Sequence, residues 1–139
     1  MKAQWMYRIA AVLLALFSAG HTLGFSKVDP DWHLDTVVNS MQSIQFSAQG
    51  SLRTHWDFYV GFGLFVSVLL LFAALVCWQL AILKAETRHA LRWLCWSLVA
   101  CFTGVAFLSW RYFFAVPLVF SVVILLCLTL GAWLSGRSA

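Results

Sequence analysis

His21, His55, Asp57, Tyr59, Arg111 and Tyr112 are the side chains of this 139-residue chain with the types to do chemistry together. An imidazole exchanges a proton near neutral pH, and a carboxylate orients and charges such a ring. A phenol donates a hydrogen bond, and a guanidinium fixes an anion. The stretch RTHWDFYVGFGL, residues 53–64, sets His55, Asp57 and Tyr59 at the head of a long apolar run. Charged residues make up only 10% of the chain, so that concentration is notable. His21 and Asp57 are the expected acid–base pair, and all six are expected to line a ligand site.

These side chains need elements to position them, and the composition says which kind. The chain is 63% hydrophobic, with a mean hydropathy of +0.87. Soluble domains run at about 45–50% apolar, so the excess belongs in bilayer hydrocarbon. A helix needs about 20 apolar residues to cross it. Four stretches qualify, about 5–25, 56–83, 91–109 and 115–134. The expectation is an all-α, integral-membrane four-helix bundle forming a single transmembrane domain over 1–139. The start of the chain resembles a secretory signal, with Lys2 and Arg8, an apolar stretch over 9–17 and the small residues SAG. We expect it to be retained as the first membrane helix.

Lysine and arginine set the orientation. Lys2, Arg8, Lys84, Arg88, Arg92 and Arg137 fall on one side, against Lys27, Arg53 and Arg111 on the other. Both termini and the 84–92 connection are thus expected in the cytoplasm, with His89, Arg88 and Arg92 forming a charged belt there. Asp29, Asp31, Asp35 and Asp57 fall on the opposite side, so the 26–55 connection is expected to be extracytoplasmic, in a bacterium at the periplasm or outer surface, and the membrane to be the inner (plasma) membrane. Because the positive charges gather at helix ends, the net charge of +4 reports topology and not nucleic acid.

Within that connection Leu34, Val37, Val38, Met41 and Ile44 recur at helical spacing. They predict an amphipathic helix at about 33–49, lying on the membrane surface or capping the bundle, with Gly50 ending it. Trp5, Trp32, Trp56, Trp110 and Trp133 bracket the spans, as at headgroup depth. Small residues let membrane helices approach. They recur as Ala11, Ala15 and Ala19 in the first span, Gly63 and Ser67 in the second, and Ala100 and Gly104 in the third. The fourth span has few and is expected to face lipid more.

Antiparallel connection of four such helices brings His21, His55, Asp57, Tyr59, Arg111 and Tyr112 to the extracytoplasmic end. Each also has a plainer role. Asp57 suits the first turn of a helix, where it caps the positive dipole. Arg111 can snorkel to phosphate headgroups, His55 can sit on the surface beside Trp56, and His21 can be satisfied by a neighbouring serine or carbonyl. His33 and Asp35 read as solvated loop residues. No H-x-x-x-H or H-E-x-x-H unit marks a metal, and no Gly-rich phosphate loop is present; the pair His21 and His55 is the nearest approach to haem ligation. No cofactor is expected. Cys77, Cys95, Cys101 and Cys127 lie within apolar runs, without a C-x-x-C, and read as core residues.

At GHTLGF (20–25) and FSAQGSLRTHWDFYVGFGL (46–64) the chain resembles a group of small bacterial four-helix membrane proteins with no assigned activity. Their first span ends in a histidine-containing motif and their second opens on a W-D-F-Y-x-G-F-G stretch. The resemblance covers the first half; the later spans match only in being hydrophobic. In size and span count the chain is also similar to DoxX-type proteins and to sterol-handling EXPERA-type bundles, a likeness that carries over no residues.

Three functions follow as expectations. The leading one binds a small amphiphile (a lipid, isoprenoid or quinone), its tail between helices and its head at His21, Asp57, Tyr59 and Arg111. The second is a membrane enzyme using His21 and Asp57 for acid–base chemistry on a lipid-like substrate. The third is a structural or accessory subunit, a homo-oligomer or a partner of another membrane protein. Few ionisable groups sit at mid-membrane depth, which disfavours transport.

Overall fold

A computed structural model describes residues 2–137. The described residues are 82% helical. Helix α1 spans Ala3–Gly24, followed by a 3₁₀ turn at Pro30–Trp32 and helix α2 at Asp35–Ser43. Strands β1 (Gln45–Ala48) and β2 (Ser51–Thr54) precede helix α3, His55–Ile82. Helices α4 (Ala85–Ala90), α5 (Arg92–Tyr112) and α6 (Ala115–Gly136) complete the described chain. Among the described residues α1, α3, α5 and α6 are long and apolar enough to cross a membrane, as in a multi-pass membrane protein. Their limits lie within a few residues of the expected spans. Pro117 is the third residue of α6, where its missing N–H leaves no hydrogen bond unmade.

The helix expected over 33–49 stops at Ser43, and a hairpin replaces its second half. Strand pairing runs from Gln45 with Thr54 to Ala48 with Ser51, leaving Gln49 and Gly50 as the turn. Their φ values are +50° and +85°, the positive pair that a type I′ turn requires. Gly50 therefore closes a hairpin and does not end a helix. Within α2 no residue is buried; Val38 and Met41 are half-buried, and Val37 is exposed.

Contacts divide the chain into two compact units, Ser18–Leu69 and the remainder. In the unit made of residues up to Phe17 and from Leu70 onward, the core joins Tyr7, Ala10 and Leu14 of α1 to Ala74, Cys77 and Leu80 of α3. Cys95 and Phe102 of α5 and Ile124 and Leu128 of α6 complete it. Tyr7 lies so close to Gly131 that a Cβ there would meet the ring at 3.0 Å. Ser121 and Ser135 are buried by returning their hydroxyls to their own helix, at 2.8 Å from the carbonyls of Pro117 and Gly131.

Three packing expectations change. Ala11 is buried, but Ala15 and Ala19 are exposed, because the inward stripe of α1 runs through Ala10, Leu14 and Ser18. Ala100 and Gly104 also face outward, while Cys95, Phe102 and Ser109 point in. The fourth span is not the lipid-facing one. It is 28% buried against 17% for the third, because Gly131, Ala132 and Ser135 supply small residues near its end.

Arg88 leaves the expected charged belt for the interior of this unit, at 5% exposure. Its Nη1 donates to the carbonyls of Leu80 (3.1 Å) and Leu83 (2.9 Å). Those carbonyls lie where α3 ends and have no intrahelical N–H ahead of them. A guanidinium there meets both the unpaired oxygens and the negative end of the helix dipole. His89 Nδ1 lies 3.2 Å from the carbonyl of Ser135.

Candidate functional site

The unit Ser18–Leu69 holds His21, His55, Asp57 and Tyr59. It is built from the end of α1, the 3₁₀ turn, α2, the hairpin and the first half of α3. Ser18 and His21 follow one another on one side of α1, and Phe25, just past its end, continues the row. On α3 the matching steps are Tyr59, Gly63 and Ser67.

These two rows meet. Ser18 Oγ donates to the Ser67 carbonyl at 2.8 Å, and His21 Nδ1 lies 3.1 Å from Ser67 Oγ. Ser67 Oγ is 3.3 Å from the Gly63 carbonyl. When the hydroxyl hydrogen points there, Ser67 Oγ accepts from His21 Nδ1–H; with the other tautomer it donates to Nδ1. The imidazole stacks on Phe25, with centroids 5.3 Å apart and planes 15° from parallel. That phenyl ring lies directly over Gly63, where any Cβ would overlap it. Tyr59 closes the row by donating its hydroxyl to the Phe25 carbonyl at 2.5 Å. His21 and Tyr59 are thus joined through Phe25 as a clasp between the helices.

Asp57 holds a different set of atoms. Its Oδ2 accepts from the Thr54 N–H at 2.8 Å, and its own N–H donates to Thr54 Oγ1 at 3.1 Å. This reciprocal arrangement is a capping box that starts α3 directly from the strand. His55 is exposed and packs on Phe46 of β1, centroids 4.9 Å apart. Arg111 and Tyr112 belong to the other unit, in the last turn of α5 and not in the turn after it; the guanidinium lies 5.2 Å from the Tyr112 ring centroid. Among the described residues no three His, Cys, Asp or Glu gather as metal ligands.

A groove appears instead on the side of α3 away from the clasp. Arg53, Asp57, Phe58, Gly61, Phe62 and Phe65 line it, around a volume of about 210 Å³. A second open space of about 420 Å³, bordered by Ala48, Gln49 and Ser51 of the hairpin, shares Arg53 and Phe58 with it. Aromatic rings continue from the hairpin down the helix. Phe46 stacks on Phe58 at 5.8 Å, and Phe62 lies 6.3 Å from both Phe58 and Phe65. Gly61 has nothing within 4 Å of where its Cβ would be, so it forms an open floor.

The groove is charged at one end and aromatic along the rest. Of the expected site residues only Asp57 lines it. Arg53 had counted only toward topology, and the phenylalanines toward hydropathy. The signal that marks them is the spacing 58, 61, 62, 65, one helical face, against 59, 63, 67 for the clasp. No family model, curated protein or solved structure matches this chain.

Proposed function

We propose that this protein binds a small amphiphile, a lipid, isoprenoid or quinone, in the bacterial plasma membrane. The observation that carries this reading is the groove along α3, with Arg53 and Asp57 at its head and Gly61, Phe62 and Phe65 below. An apolar slot with a few convergent polar groups is the usual form of a small-molecule site. The apolar tail lies over Gly61 between Phe62 and Phe65, and the head meets Arg53. His21 and Tyr59 support the helix that carries the groove. The distribution of lysine and arginine favours cytoplasmic termini, which sets the groove's charged head at the outer surface.

The test compares lipids extracted from the purified protein with those of the membrane it came from. One amphiphile class is expected to be enriched, and Gly61→Leu, which fills the floor, to abolish the enrichment. Identical lipid profiles for the protein and its membrane, with no change in the variant, would sink the reading.

A further inference from the structure

We infer that the groove selects an amphiphile with a zwitterionic head, a phosphate joined through a short link to a primary ammonium, as in phosphatidylethanolamine. This inference rests on the amphiphile-binding reading and specifies its ligand. Arg53 and Asp57 line the same groove with opposite charges, yet neither is spent on the other. Arg53 Nη1 donates to the Leu52 carbonyl at 2.7 Å, which anchors one edge of the guanidinium and leaves its other donors for an anion. Asp57 Oδ2 accepts from the Thr54 amide, and Oδ1 makes no hydrogen bond among the described residues.

Charge complementarity then decides between heads. A purely anionic head satisfies Arg53 but sets its charge against Asp57. An uncharged head leaves both groups to water. A head carrying phosphate and ammonium meets each with its opposite, and charge-assisted hydrogen bonds to both are the strong kind. A primary ammonium has N–H groups to donate to Oδ1, whereas a quaternary ammonium has none. Phosphatidylcholine should therefore bind less well than phosphatidylethanolamine, although their net charges are equal. The aromatic floor is indifferent to the head and supplies affinity for the acyl chain in every case.

Native mass spectrometry of the full chain in detergent tests this, with phosphatidylethanolamine, phosphatidylcholine, phosphatidylglycerol and diacylglycerol of matched chains in equal amounts. Phosphatidylethanolamine is expected to be retained about tenfold over phosphatidylcholine, the ratio that one charge-assisted hydrogen bond supplies. Asp57→Asn, whose amide oxygen still caps Thr54, should remove that ratio. Arg53→Gln should lower all three phospholipids toward diacylglycerol. Circular dichroism melts of both variants establish that the fold is kept. Phosphatidylglycerol held most tightly, or four lipids held equally, would overturn the zwitterion inference while leaving amphiphile binding intact. Retention of none of them would overturn both.

Discussion

The imidazole of His21 and the hydroxyl of Ser67 meet 3.1 Å apart, 46 residues apart in sequence, and tie the end of α1 to the first half of α3. Ser18 adds a bond to the backbone of Ser67 itself. Lipid tails provide no hydrophobic drive between helices, so such polar contacts and close packing hold them. Hydrogen bonds between membrane helices average about 0.6 kcal/mol and reach about 1.7. In a cycle of His21→Ala, Ser67→Ala and the double variant, a coupling of about 0.5–1.5 kcal/mol is expected from unfolding in mixed micelles. Additive effects would mean that the pair contributes nothing as a pair.

Phe25 lying on Gly63 gives a second prediction. Because a Cβ at Gly63 would overlap the ring, Gly63→Ala must push Phe25 off the helix or strain it. Overpacking of this kind costs about 1–3 kcal/mol. Gly20→Ala is the control, since nothing lies within 4 Å of the added carbon, and there the better helix propensity of alanine should leave stability unchanged or raised. Phe25→Ala should relieve the clash and bring Gly63→Ala part of the way back. The measurement is the thermal midpoint of each variant in the same detergent.

The spans were legible in the sequence because hydropathy over 20 residues is a long, redundant signal. The site was legible only in part. The spacing of His21 with Ser18, and of Tyr59 with Gly63 and Ser67, is legible as two helical rows, and these do meet, although Tyr59 stays exposed. The same spacing put His55 at the head of the second row, and depth alone suggested that Asp57 would join them. The side chains of His55 and Asp57 instead follow local chemistry, a strand-to-helix junction that needs a cap and an aromatic ring within reach on β1. The hairpin was missed because apolar residues spaced for a helix run up to Ile44, and the turn signal, Gln49–Gly50, is only half of the usual Asn-Gly pair. Arg88 was misplaced because counting charges by side of the membrane ignores the carbonyls left open where a helix ends.

Arg88 carries a third prediction. Replacing it with methionine keeps the apolar stem but strips the Leu80 and Leu83 carbonyls of their donor. Bonds to a charged group contribute about 1.5–3 kcal/mol, and the orphaned carbonyls add a desolvation penalty. Arg88→Met should lower stability by about 2–4 kcal/mol. Arg88→Lys, which keeps the charge but not the rigid fork, should lose less. Denaturant titration in a fixed detergent ratio measures both. A loss within experimental error for Arg88→Met would show that the helix end is satisfied without the guanidinium.

The hairpin turn yields the last prediction. Gln49 has a φ of +50° and Gly50 one of +85°, a region where side chains crowd the backbone. The left-handed conformation costs an ordinary residue about 1–2 kcal/mol, and asparagine tolerates it better than glutamine. Gln49→Asn completes the preferred type I′ pair and should stabilise the hairpin by about 0.5–1 kcal/mol. Gly50→Ala should weaken it by about 1 kcal/mol or more. Local opening governs this segment, so the readout is hydrogen exchange of the strand amides over 45–54, not global unfolding. Slower exchange in Gln49→Asn and faster exchange in Gly50→Ala are expected. Since Arg53 stands on β2 and lines the groove, Gly50→Ala should also weaken retention of any lipid that needs the guanidinium. The same exchange rates in both variants would mean that the turn does not set the strand pairing.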